Sequence, residues 1–81
     1  MTPPPAIVTL YTKPGCHLCE AVEQVIRRVA MRRDFEFVLQ NIENDSATFE
    51  RYKNDIPVVT VDGVEIARHR MTADQLEEAL I

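Results

Sequence analysis

Cys16-His17-Leu18-Cys19 places two thiols three residues apart, and they are the only cysteines in the chain. On a helix, side chains at that spacing bring their Cβ atoms within about 5–6 Å, close enough for a disulfide to form with little movement. Two chemistries suit such a pair: reversible thiol–disulfide exchange, and ligation of a metal by thiolate. Tetrahedral zinc wants four ligands. Beyond the cysteines the chain offers only His17 and His69, the former badly placed to turn back onto the same ion. No single-chain metal site is therefore expected. The alternative that remains is a metal or iron–sulfur binding module, in which a dimer bridges a cluster through Cys16 and external thiols. Exchange chemistry itself calls for no cofactor.

The elements on either side tell how the pair is held. Ala6-Ile7-Val8-Thr9-Leu10-Tyr11-Thr12 is nearly continuous apolar and β-branched, and Lys13-Pro14-Gly15 then breaks it, as where a strand leaves a sheet for a loop. Leu18, Val22, Val25, Ile26 and Val29 follow at offsets 0, 4, 7, 8 and 11, one face of a helix. The dithiol thus sits at a helix N-terminus, where unpaired amide hydrogens and the positive end of the dipole favour a thiolate. Cys16 is at the exposed N-terminal edge and is expected to be the nucleophile. Cys19, inside the first turn, is expected to resolve.

The energies are of the right size. A free thiol titrates near pH 8.5, and bringing it to about 7 takes roughly 2 kcal/mol. A helix terminus supplies about 0.3–1 kcal/mol when exposed and up to ~2 when partly buried, with Lys13 available to add to it. The gain in thiolate is about 15-fold, but each thiolate is about fourfold weaker as a nucleophile, so attack quickens only a few-fold. The larger benefit is in release: a low-pKa Cys16 is a good leaving group when the adjacent Cys19 attacks the mixed disulfide.

Further along, Asp34-Phe35-Glu36-Phe37-Val38-Leu39-Gln40 reads as a second strand with Phe35, Phe37 and Leu39 on one face, making a parallel, right-handed βαβ unit with the first. Asp45 or Ser46 suits the cap of a short second helix that turns Phe49 and Tyr52 inward, with Asn54 as a left-handed terminator. Val58–Val61, Asp62-Gly63 and Val64–Ala67 form a hairpin, since Asp-Gly suits a two-residue type I′ turn. Thr72 and Gln75 make a capping box, with Met71 and Leu76 at the staple positions of a last helix beginning at Ala73. The order β-α-β-α-β-β-α implies an α/β fold, a four-stranded mixed sheet flanked by helices. In such sheets sites form at the carboxyl ends of parallel strands, and the first strand ends where the cysteines begin.

Composition narrows the partners. At 81 residues there is room for one small domain, read as residues 6–81 after a flexible Pro-rich lead-in over 1–5. A net charge of -4 argues against nucleic acid and anionic membranes as partners. No apolar stretch approaches about 18 residues, so neither a signal peptide nor a membrane span is read and the cytoplasm is the expected compartment. There a lone C-x-x-C is more often catalytic or metal-binding than a structural staple. A monomer is expected.

Tyr11-Thr12-Lys13-Pro14-Gly15-Cys16-His17-Leu18-Cys19-Glu20, with Ile56-Pro57-Val58 about 40 residues on, resembles the thioredoxin and glutaredoxin superfamily, most closely its small glutaredoxin-like proteins. The resemblance covers almost the whole chain after the first five residues. It implies a thioredoxin-like fold and a thiol–disulfide oxidoreductase with Cys16 as nucleophile and Cys19 as resolving thiol. Taken alone, an X-Pro bond is cis only about 5–6% of the time. In the superfamily the proline matching Pro57 is cis and packs beside the dithiol, and the residue matching Ile56 pairs its backbone amide and carbonyl with the substrate polypeptide. Lys13 matches a position that contacts a glutathione carboxylate; a solvated surface lysine is the alternative. His17 is either a cation beside the thiolate or a solvated residue of the variable dipeptide. Arg27, Arg28, Arg32 and Arg33 are most simply the basic end of the first helix, opposite Glu20 and Glu23.

One stretch departs from the pattern. Glutaredoxins place a Gly-Gly pair and two acidic residues where the last helix begins, letting backbone approach the glutamyl end of glutathione. Here Met71-Thr72-Ala73-Asp74-Gln75 keeps only Asp74. Glutathione is therefore expected to be a weak substrate and donor. The expected substrates are disulfide-containing proteins, with electrons from a reductase or a low-molecular-weight thiol, thioredoxin-like donors foremost.

Overall fold

Val8 and Leu10 alternate with Ile7 and Thr9 along β1 (Ala6–Thr12), and this period of two decides which side of the strand is covered. Val8 and Leu10 are fully buried, whereas Ile7 is exposed. The structure is a computed structural model that describes residues 4–81. Of the lead-in expected to be flexible, residues 1–3 lie outside the described residues, and Pro4 and Pro5 precede β1 without regular structure.

The elements follow as α1 (His17–Ala30), β2 (Phe35–Asn41), α2 (Ser46–Tyr52), β3 (Val58–Val61), β4 (Val64–Arg68) and α3 (Ala73–Ala79), with a short 3-10 turn at Ile42–Asn44. The sheet runs β2-β1-β3-β4. β1 and β2 are parallel, from Ala6 opposite Phe35 to Thr12 opposite Asn41. β3 runs antiparallel to both β1 and β4. This is the four-stranded mixed sheet that the sequence implies.

Alternation sends side chains to two cores. Val8, Leu10, Val59 and Val61 face one side, where Val22, Ile26 and Val29 of α1 and Leu76 of α3 close over them. Val58 faces the other side and packs with Ile42, Tyr52, Tyr11, Phe49 and Ile56. With both faces covered, all four residues of β3 are buried. At the far end of α1, Arg27 pairs with Glu23 at 2.9 Å and lies over the Phe37 ring. Arg32 and Arg33 reach Glu77 of α3 at 3.3 and 3.7 Å, so the basic end also ties the two helices together.

Local chemistry sets the boundaries. Asp62 and Gly63 have φ of 50° and 83°, the two left-handed residues of a type I′ turn. The Asp62 side chain accepts the Ile7 amide at 2.9 Å, which ties the turn to β1. Thr72 and Gln75 form the capping box on α3, and Met71 and Leu76 are buried in the same core, as a hydrophobic staple requires. Asp45 caps α2, its carboxylate accepting from the Thr48 amide and hydroxyl, which holds the carboxyl below the usual range.

Two expectations, on Leu18 and Asn54, need correction. Leu18 is 45% exposed, because it lies in the first turn of α1 and the buried stripe there is Cys19, Val22, Ile26 and Val29. Leu39 shares the face of Phe35 and Phe37, as the alternation implies, but on this edge strand it is 50% exposed while those two pack on the first core. Asn54 is not left-handed; α2 ends on Lys53 in right-handed geometry, and Tyr52 C=O accepts from both Asp55 and Ile56.

Candidate active site

β1 delivers the chain to the site and Gly15 turns it. Gly15 has φ of 80°, and a Cβ there would meet nothing within 4 Å, so the demand for glycine is torsional and not spatial. Cys16 follows in extended geometry as the N-cap of α1, with its sulfur accepting from the Cys19 amide at 3.2 Å. The sulfur thus takes the place a serine or aspartate oxygen usually fills, at the positive end of a 14-residue helix.

Cys16 and Cys19 are joined by a disulfide with Cα atoms 5.2 Å apart. The two are not equivalent. Cys19 is 1% exposed and faces the core, whereas Cys16 remains partly exposed. A thiol at Cys16 is thus open to a partner molecule while Cys19 is reached through Cys16. His17 is 95% exposed with Nδ1 3.7 Å from a Glu20 carboxylate oxygen, the solvated arrangement.

Pro57 immediately precedes β3, is fully buried, and follows Ile56 through a cis bond. Its carbonyl accepts the His69 amide at 2.7 Å. His69 holds φ of 69°, uncommon for a residue with a side chain, so this link is kept in a conformation whose cost the surrounding contacts must offset. On the other side, Arg68 reaches Asp55 at 3.4 Å and Glu65 at 2.8 Å, and the guanidinium holds the Glu65 carboxyl below its usual range. The Ile56 amide is donated to Tyr52 C=O at 3.2 Å. Of the two backbone groups expected to meet a substrate strand, the amide is engaged within the chain and the carbonyl is the one left to serve.

Two grooves flank the first turn of α1, since Leu18 and Glu20 project to opposite sides at 3.6 residues per turn. Lys13 is exposed in the β1–α1 loop and lines one of them, about 300 Å³, with Glu20, Glu23, Leu39 and Asn41. The other, about 390 Å³, is bounded by Leu18, Val22 and Val25 on α1 and by His69, Arg70 and Met71 across from it. Sequence reasoning misses the second groove. Helical periodicity assigns Leu18 to the core, and no sequence signal marks His69 as a left-handed residue. Among the described residues no three of His, Cys, Asp and Glu gather as a metal site would need, and no helix is long and apolar enough to cross a membrane.

Comparison with known proteins agrees with this geometry. The Glutaredoxin-like protein YDR286C homolog of Dictyostelium discoideum is 34% identical, with 85% of this chain and 69% of that protein covered. The solution structure of Ne2328 from Nitrosomonas europaea superposes with a TM-score of 0.84 at 23% identity, covering 100% of this chain and 98% of that one. A mutant thioredoxin from Halobacterium salinarum superposes with a TM-score of 0.71 at 16% identity, covering 95% of this chain and 73% of that one. These structural likenesses show a thioredoxin-like fold. A C-x-x-C pair in a chain 34% identical to that glutaredoxin-like protein supports a redox-type role. Residues 7–81 match the glutaredoxin-like domain family (DUF836), and the chain belongs to that family.

Proposed function

We propose that this protein is a thiol–disulfide oxidoreductase that reduces disulfides in other proteins by a dithiol mechanism. The observation that carries the reading is the asymmetry of the pair: a partly exposed Cys16 capping α1 and a buried Cys19 one turn behind it. In the reduced protein, the Cys16 thiolate attacks one sulfur of a substrate disulfide. The substrate S–S bond breaks, its other sulfur leaves as a thiolate and takes a proton, and a mixed disulfide remains on Cys16. Cys19, as thiolate, then attacks Cys16 Sγ, the mixed disulfide breaks, and the second substrate sulfur leaves. Two electrons pass to the substrate and the protein ends in the Cys16–Cys19 disulfide.

The amide at Cys16 Sγ and the helix dipole favour the thiolate both for attack and as the leaving group in the second step. Lys13, Ile56 and Pro57 are the substrate-binding residues in this reading: the lysine as a surface cation, the Ile56 carbonyl as a backbone acceptor, and Pro57 as the buried lead-in to β3. A reductase or low-molecular-weight thiol restores the dithiol, and the protein works as a cytoplasmic monomer.

Prereduced protein mixed with a disulfide-bonded test protein should reduce it one for one and finish with Cys16 and Cys19 joined. Cys16→Ser should abolish this. Brief alkylation of the reduced protein at neutral pH should label Cys16 before Cys19. The reverse order, or an undiminished rate in Cys16→Ser, would overturn the assignment.

A further inference from the structure

The groove on the Leu18 side of α1 is apolar where the chain's own core does not cover it. Leu18, Ala21, Val22 and Val25 lie at offsets of 0, 3, 4 and 7 along one helix face, a run of about 10 Å. Val22 and Met71 form its buried floor, while Leu18 and Ala21 are exposed. Leu18, which lines the groove, lies between the two cysteines in the sequence. An extended chain rises about 3.3 Å per residue, so the groove has the length of roughly three residues of a strand.

Its charge is one-sided. Across a chain with a net charge of -4, no carboxylate lines this groove, and its ionisable side chains are those of Arg70 and His69. Like Arg28 and Arg51, Arg70 pairs with no carboxylate among the described residues, and of these three it is the one that lines this groove. The groove across α1, by contrast, carries Glu20 and Glu23.

Resting on the function proposed above, we infer that this groove seats the protein substrate beside its reacting cysteine, taking an apolar side chain between Leu18 and Met71 and pairing Arg70 with a neighbouring carboxylate. The substrate class is thus a cysteine followed or preceded within about three residues by an apolar and an acidic residue. Arg70 sets specificity; it takes no part in the sulfur chemistry.

The test uses peptides with one cysteine capped by a neutral 2-thiopyridyl group, flanked by Leu-Glu or by Leu-Lys, reacted with the prereduced protein in a single turnover. Release of pyridine-2-thione gives the second-order rate constant, and no electron donor is needed. The comparison spans attraction and repulsion at an exposed pair, so the acidic peptide should react roughly three- to tenfold faster at low salt. The ratio should shrink toward one at 1 M salt. Arg70→Glu should invert it and Arg70→Lys should keep it. Replacing the peptide leucine by serine should slow both peptides several-fold.

A ratio near one, or a preference that survives Arg70→Glu, overturns the inference. So does a preference that fades as protein concentration rises, the sign of a second copy covering the groove. The capped disulfide of mercaptoethanol, too small to reach Arg70, separates the two readings. If it reacts while the peptides show no preference, only the groove assignment fails; if the wild-type dithiol attacks none of these disulfides, the oxidoreductase reading fails with it.

Discussion

Leu18 and Ile26 belong to the same apolar stripe of α1 in the sequence, yet the structure gives them different work, and truncating each to alanine should show it. Ile26 is 0% exposed beneath the sheet, whereas Leu18 is 45% exposed at the groove. Each change removes three carbons, about 2.4 kcal/mol of transfer free energy if fully buried. At Ile26 the full transfer term applies and a cavity term adds to it, for a total of about 2–5 kcal/mol. At Leu18 only about half applies, near 1.3 kcal/mol, and the slightly better helix propensity of alanine brings it to about 1. A domain of 81 residues has a total stability of about 4–12 kcal/mol, so Ile26→Ala consumes a large share of it. The assay is urea unfolding of the disulfide-bonded protein, with m held as the check on two-state behaviour. If Leu18→Ala costs as much as Ile26→Ala, Leu18 is a core residue and the groove beside it is closed in solution.

Gly63→Ala should cost about 1–2 kcal/mol through its φ of 83° alone, since a Cβ there has open space; an unchanged urea midpoint would refute the turn assignment. Asp45 has its carboxyl held low by Thr48, so its stabilising contribution is present above its unfolded value near 3.8 and is lost as pH falls through the lower folded value. The stability difference between wild type and Asp45→Asn should therefore collapse only below about pH 3.8, and a collapse near neutrality would contradict this cap. Glutathione mixed disulfides should be poor substrates, because Met71-Thr72-Ala73 stands where glutaredoxins carry glycines; efficient turnover coupled to glutathione reductase at millimolar glutathione would reverse that view.

Much of the fold is legible because its signals are local. The Asp62-Gly63 turn, the Thr72 and Gln75 capping box and the break at Lys13-Pro14-Gly15 each fix backbone geometry within four residues. The cysteine pair is legible for the same reason, as spacing and helix position decide which sulfur faces out. What escapes the sequence depends on neighbours distant along the chain. Leu39 fits the strand pattern, but whether a residue near the end of an edge strand is covered depends on how far α1 extends over β2. Leu18 fits the helix pattern, but its exposure follows from where α3 and the His69–Met71 segment stop. His69 itself adopts a left-handed conformation for a bond to Pro57 across two strands, a demand no local pattern announces.

The most direct test of the mechanism is to expose Cys19→Ser and Cys16→Ser, each prereduced, to a disulfide-bonded protein, and to resolve the products by non-reducing mass spectrometry. With Cys16 outward and Cys19 buried, Cys19→Ser should accumulate a mixed disulfide through Cys16 that it cannot resolve, and Cys16→Ser should form almost none. A mixed disulfide that builds up on Cys16→Ser and not on Cys19→Ser would contradict the account.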